Sequence, residues 1–231
     1  MDQYRNVCVY KLILYRLSLT LICISQVNNP LAHEYTTGPE IIEAVVSTPS
    51  TSSKPSSEKV DVVVAGAGTG GTVTGISRAI KKTHNPDCII VGVDPVCLLL
   101  ISFTMISNLI LTQKGSILAL PESLNTTDDG IQYIVEGIGY DFVPDVLSRA
   151  DVDAWLKTSD EESFAAVQLL MRSEGLLVGG SSGSALAGAL RWLKGEEGKD
   201  VANTLGKNVV VLLPDGYVST TILFKYSSIH S

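Results

Sequence analysis

Three observations predict an α/β fold built on a mostly parallel, twisted sheet with flanking helices. Val60-Asp61-Val62-Val63-Val64 is a short, β-branched and almost uninterrupted run, as a strand covered on both faces requires. The glycine and threonine loop Ala65-Gly66-Ala67-Gly68-Thr69-Gly70-Gly71-Thr72 follows it directly and opens Val73 to Lys82, which reads as a helix. Strand and helix patterns then alternate along the chain, which places ligands beyond the carboxyl ends of the strands.

Each element follows in order. Residues 34–59 are largely polar and end in the Ser/Thr/Pro tract Ser47 to Ser57, read as a surface loop or short linker, so order is expected from Val60 onward. After the strand, loop and helix of 60–82 comes a strand at Cys88 to Val93. The turn-rich polar stretch Pro121 to Gly130 leads to Ile131 to Gly139. A helix starts at Thr158 or Ser159. Asp160, Glu161 and Glu162 lie in its first turn, where negative charge is favourable, and Phe164, Val167, Leu170 and Met171 fall at helical spacing. Glu174-Gly175 ends it. Leu176-Leu177-Val178 reads as a brief strand into a second glycine and serine turn, Gly179 to Ser184, with a helix from Ala185 to Lys194 behind it. Asn208 to Leu213 is a last buried strand.

The 231 residues carry a net charge of −7 without any lysine or arginine cluster, which argues against nucleic acid as a partner and for a small molecule. Cys8, Cys23, Cys88 and Cys97 form no paired motif, and His33, His84 and His230 are far apart in sequence. No metal site is expected, and the histidines read as scattered surface residues. Leu12 to Ile24 has the apolarity of a signal-sequence core, and Val96 to Leu111 falls short of the ~20 residues of a membrane span. Neither reads well as a targeting element, and no membrane partner is expected.

The loop after the first strand has the chemistry of an anion cradle. Glycines let bare N–H groups converge, the helix start adds partial positive charge, and the threonine hydroxyls add donors. Gly66, Gly68 and Gly71 also fit a dinucleotide fingerprint, with Asp94 at the distance of a ribose-binding acid, so a nicotinamide-dependent oxidoreductase stays open, as does a plain strand-to-helix connection.

Five pieces, in order, resemble the cystathionine β-synthases: Asp2-Gln3-Tyr4-Arg5-Asn6, Asn29-Pro30-Leu31-Ala32-His33, Ala67-Gly68-Thr69-Gly70-Gly71-Thr72, Glu136-Gly137-Ile138-Gly139-Tyr140-Asp141-Phe142 and Gly179-Gly180-Ser181-Ser182-Gly183-Ser184. The resemblance implies a fold-type II, tryptophan synthase β-like fold with pyridoxal 5'-phosphate as cofactor. Gly68, Thr69, Gly70, Gly71 and Thr72 would hold the phosphate, Ser181 would face the pyridine nitrogen, and Gly137 and Tyr140 would line the substrate side. From the residues alone Ser181 is equally a helix N-cap, Gly137 a turn glycine and Tyr140 a half-buried core residue. The implied reaction is cytoplasmic: L-serine and L-homocysteine give cystathionine and water in a homodimer or larger homo-oligomer. Cysteine synthases share the loop and a similar serine turn and remain an alternative.

The family's Schiff-base lysine stands in a Ser, Asn-Pro, Gly and Lys-Asp-Arg type motif, and no lysine of this chain has that context. No catalytic residue is therefore assigned, and an incomplete, inactive form or non-catalytic fragment is expected. Residues 1–59 read as a residual N-terminal segment, 60–215 as the cofactor-binding core and 216–231 as a divergent tail. Deleting 7–26 and 96–113 restores the family spacing. Both segments begin Val-Cys and end in glutamine, the translations of a splice-donor hexamer and a splice acceptor, so both read as unspliced inserts whose removal should improve solubility.

Overall fold

The computed structural model describes residues 25–96, 115–125, 133–214 and 216, together with the backbone of 7–11. The apolar stretches 12–24 and 97–111, together with Cys23, Cys97 and His230, lie outside the described residues. Among the described residues no helix is long and apolar enough to cross a membrane.

The sheet contains β1 (Val7–Lys11), β2 (Val62–Gly66), β3 (Ile89–Pro95), β4 (Ala154–Thr158) and β5 (Val209–Leu213). Its order is β1-β5-β2-β3-β4, with every pair parallel. From β2 the chain steps to β3 and β4 on one side and returns to β5 on the other. That reversal makes the carboxyl end of β2 a topological switch point, where a parallel sheet opens a crevice for ligands. β1 lies in register along the outer edge of β5, from Val7 opposite Val209 to Lys11 opposite Leu213. Part of the segment read as an insert therefore pairs with the sheet.

Alternation along the strands builds two cores. Val63, Ala65, Ile90, Val210 and Leu212 face one layer; Val62, Val64, Val91, Val93, Val209, Val211 and Leu213 face the other. Strands buried on both faces explain the unbroken apolar runs. The second face is covered by α4 (Asp160–Ser173) and α5 (Gly180–Lys194), through Val167, Leu170, Ala185, Ala189 and Trp192. The first is covered by α3 (Gly71–Thr83), through Val73, Ile76 and Ile80. A helical stretch formed by α1 (Asn28–Ala32), a π turn at His33–Thr37 and α2 (Gly38–Val46) packs outside α3. A short α6 (Lys199–Asn203) precedes β5.

Several expectations are corrected. Residues 34–46 are helical, not loop. The π turn falls just before Pro39, whose ring would collide with the carbonyl four residues back in a regular α-helix. Leu176–Val178 forms no strand; Val178 makes a single antiparallel bridge to Gly216 and Leu177 is exposed. The second glycine and serine segment is the first turn of α5, not a turn ahead of it. At α4 the reading is close. Ser159 is the N-cap, and its side chain and that of Glu162 form a reciprocal capping box.

Candidate functional site

The site begins with the turn from β2 into α3. Ala67 N–H donates to Val93 O (2.8 Å), fixing the loop against β3, and Gly139 N–H donates to Ala67 O (2.8 Å), bringing 137–140 onto it. Gly70 has φ +83°, a left-handed conformation that glycine adopts without steric cost. A Cβ on Gly68 would overlap Gly137 O, so the two backbones touch only because Gly68 has no side chain. Thr74 to Gly70 O (3.0 Å) is the first helical backbone bond of α3. Among the described residues no acceptor takes the N–H groups of Gly68 to Val73. Unpaired amides at the positive end of a 13-residue helix, on glycine backbone packed too closely against Gly137, Leu147 and Asn29 to admit a Cβ, together suit a dianionic phosphate.

Two residues of the preceding helix brace this loop. Asn29 Nδ2 donates to Thr69 Oγ (3.0 Å), and His33 Nε2 lies 3.1 Å from Thr72 Oγ, while His33 Nδ1 lies 2.9 Å from Thr37 Oγ. Burial lowers the His33 pKa, favouring the neutral ring. His33 is thus no scattered surface histidine. His84 is not one either, since its Nε2 accepts from Val60 N–H (3.1 Å). The close approach depends on Gly71 and Gly75, whose missing side chains would overlap Asn29 and Pro30. The signal in the sequence for Asn29 and His33 is glycine four residues apart on one helix face, Gly71 and Gly75.

The remaining expected residues gather around the same end of the sheet. Gly137 (φ +83°) sits exposed at the rim, with nothing within 4 Å of where its Cβ would stand. Asp160, read only as a helix-start acid, accepts from Ile134 N–H (2.7 Å) and Val135 N–H (3.1 Å) and so anchors the approach to Gly137. Tyr140 is half-buried, its ring 5.2 Å from that of Phe142. Its backbone is held by Ser116 Oγ and Ile117 N–H. Ser181 is buried in the first turn of α5, one residue beyond Gly180, which packs toward Val135. Gly179, not Ser181, is the N-cap, and no described residue hydrogen-bonds the Ser181 hydroxyl.

Asp94 does something else. Fully buried, it accepts from Ser116 Oγ, Ala119 N–H (3.2 Å) and Lys157 Nζ (2.6 Å), and Lys157 also donates to Ser116 O (2.6 Å). Burial raises its pKa against the pull of the Lys157 ammonium. With its oxygens engaged inside the protein it cannot take a ribose hydroxyl, which overturns the dinucleotide reading. Cys88 is buried too, its thiol pushed up to about 12 by desolvation, and is no nucleophile at neutral pH.

Residues 16–215 match the model of a family described as pyridoxal-phosphate dependent enzyme. The chain is 46% identical over 188 residues to a cystathionine beta-synthase of Dictyostelium discoideum, covering 81% of this chain and 30% of that protein. It is 45% identical to the Rattus norvegicus cystathionine beta-synthase, covering 81% of this chain and 27% of that protein. Against cysteine synthase A of Escherichia coli (strain K12) the identity is 36% over 198 residues, 84% of this chain and 50% of that protein. The chain spans less than a third of the length of these two cystathionine beta-synthases.

Proposed function

This chain belongs to the pyridoxal-phosphate dependent enzyme family, and we propose that it carries the phosphate-holding and ring-facing side of a cystathionine β-synthase-like β-replacement site. The observation that carries this reading is the cradle at 68–72, whose unpaired amides lie at the sheet's switch point. Pyridoxal phosphate, when bound, supplies the electron sink that makes substitution at an amino acid's β-carbon feasible. The chain's own residues bind and orient. Gly68 to Thr72 donate to the phosphate, through backbone amides and the Thr69 and Thr72 hydroxyls. Ser181 offers the ring nitrogen a neutral hydroxyl in place of a carboxylate, so no proton is held there and the ring's electron withdrawal is tempered. Gly137 and Tyr140 line the substrate side, on a strap tied down by Asp160 and Ser116.

The proposed substrates are L-serine and L-homocysteine, giving cystathionine and water. Identity of 46% to a cystathionine beta-synthase against 36% to a cysteine synthase supports this over O-acetylserine and sulfide. The resemblance also supports a homo-oligomeric, cytoplasmic protein. Lys157, half-buried at the end of β4, is engaged by Asp94 and Ser116, and no lysine stands in the family's anchoring motif. We infer that the chain holds the cofactor without a covalent lysine bond and turns over no substrate by itself.

Titration of the purified chain with pyridoxal phosphate and with NAD, read by visible absorbance and ligand fluorescence, tests the site. Saturable binding of the first alone is expected; binding of NAD alone would refute the assignment. Borohydride reduction and peptide mapping should find no lysine stoichiometrically modified, and product assays with both substrate pairs should find no turnover. A stoichiometric pyridoxyl-lysine or measurable turnover would refute the inactive form.

A further inference from the structure

The imidazole of His33 stands between two hydroxyls, Thr72 Oγ at Nε2 (3.1 Å) and Thr37 Oγ at Nδ1 (2.9 Å). A neutral ring carries one N–H, so the three groups form a chain of donors running in one of two directions. If Thr72 donates to Nε2, its oxygen presents only lone pairs to the loop. If Nε2–H donates to Thr72, the Thr72 proton is left for whatever the loop binds.

The other end of the chain fixes the direction. Thr37 is buried, with 4% of its surface exposed, and no carbonyl among the described residues accepts its hydroxyl proton. Its neighbour Thr36 instead donates to Ala32 O (2.6 Å). The carbonyl four residues before Thr37, His33 O, takes Gly38 N–H and no hydrogen bond from the Thr37 hydroxyl. A buried hydroxyl seeks an acceptor for its proton, and His33 Nδ1 is the one within reach. We propose that His33 is a positioning residue for the phosphate cradle: Thr37 donates to Nδ1, Nε2–H donates to Thr72 Oγ, and the Thr72 proton is thereby aimed at the cofactor phosphate. The same helix holds Thr69 through Asn29, so both threonines of the loop are braced from 28–37. Glu34 beside it is paired with Lys82 and does not compete for the ring.

This inference rests on the phosphate reading of the loop, and its test separates the two. The full chain, labelled with 15N-histidine, reports the tautomer directly by NMR; Nε2–H at His33 is expected, and Nδ1–H overturns the proposal without any variant having to fold. In equilibrium titrations His33→Leu should bind pyridoxal phosphate roughly threefold to tenfold more weakly, the range of one hydrogen bond's net contribution. Affinity for pyridoxal, which lacks the phosphate, should be unchanged. His33→Gln keeps an N–H donor near Nε2 and should recover most of the loss. In a Thr72→Val background, His33→Leu should have no further effect. Equal losses for the two ligands, or an undiminished loss in that background, would make His33 merely structural and overturn the proposal. If Thr72→Val itself leaves pyridoxal phosphate affinity unchanged, the phosphate reading fails and the inference falls with it. If Thr72→Val weakens binding and His33→Leu does not, the inference alone fails.

Discussion

Gly75→Ala gives the sharpest test of how the cradle is held, because two principles predict opposite signs. On helix propensity alone, alanine in the interior of α3 should stabilise by about 1 kcal/mol. The packing says otherwise. A Cβ at position 75 would overlap Pro30 O and stand 2.8 Å from His33 Cβ and 3.0 Å from Glu34 N. The carbon contact is about 0.7 Å inside the ~3.5 Å minimum for a carbon pair. Two of the three obstacles are backbone atoms, so no rotamer change relieves them, and helix 28–37 must move away from α3. Overpacking of this kind costs about 1–3 kcal/mol. Separating the helices also loosens Asn29–Thr69 and His33–Thr72, each worth about 0.5–1.5 kcal/mol net. After the propensity gain, Gly75→Ala should destabilise by about 1–5 kcal/mol and weaken pyridoxal phosphate binding. Urea unfolding followed by tryptophan fluorescence, with a cofactor titration of the same samples, measures both. Gly175→Ala is the comparison: φ is +69° with open space around the Cβ, so it should cost only about 1–2 kcal/mol of backbone strain and leave cofactor affinity unchanged. A Gly75→Ala chain as stable as the parent, with unaltered affinity, would refute the brace.

Thr72→Ala removes the proposed hydroxyl donor to the phosphate dianion and should weaken cofactor affinity roughly tenfold to a hundredfold, whereas Ser181→Ala should alter the bound cofactor's absorption spectrum more than its retention; equilibrium titration and spectra of both variants check this. Lys157→Met strands the buried Asp94 carboxylate and should cost about 3–5 kcal/mol in urea unfolding, most of it recovered when Asp94→Asn is added. Because burial lowers the His33 pKa, the unfolded chain binds more protons just below the unfolded value of about 6.5; stability should be full above that pH and fall as pH drops toward the folded pKa. Asp94, its pKa raised, contributes with the opposite sign, so the difference in urea midpoint between parent and His33→Gln across pH 5 to 7 isolates the histidine. Deleting 7–26 strips β1 from β5 and bares the edge of Val209–Leu213, so self-association in sedimentation velocity should rise, contrary to the expectation from apolarity alone.

What was legible and what was not divides on the physics of small residues. The strand Val62–Gly66, the helix behind it and β3 were readable because branched apolar runs and helical spacing each carry a strong signal. The start of α4 was readable from its acids, next to the Ser159 cap. The helical stretch 28–46 was not. Its buried residues are Pro30, Thr37, Gly38, Ile41 and Val45, so only two of five register as large and apolar, and the π turn shifts the helical phase between them. β4 hid for a related reason: it is a short edge strand, Ala-Trp-Leu-Lys-Thr, whose lysine looks like surface but is drawn inward by Asp94.

The serine and glycine segment at 179–184 errs in the other direction: its composition reads as a turn, because glycine usually marks one, and it is the start of a helix. In α5 the missing side chains serve approach instead: a Cβ on Gly183 would stand 2.6 Å from Val167 Cγ2, and one on Gly188 would stand 2.6 Å from Val93 Cγ2. The same holds in α3 at Gly71 and Gly75. Both helices start where the sheet opens, and near that opening each has to let a neighbouring helix come within backbone contact. A composition that reads as loop is therefore what a helix needs when it both starts at a ligand cradle and is clamped from behind. Glycines three to five residues apart, just after a buried strand or beside a capped helix, are better read as faces of close helix packing than as breaks in the chain.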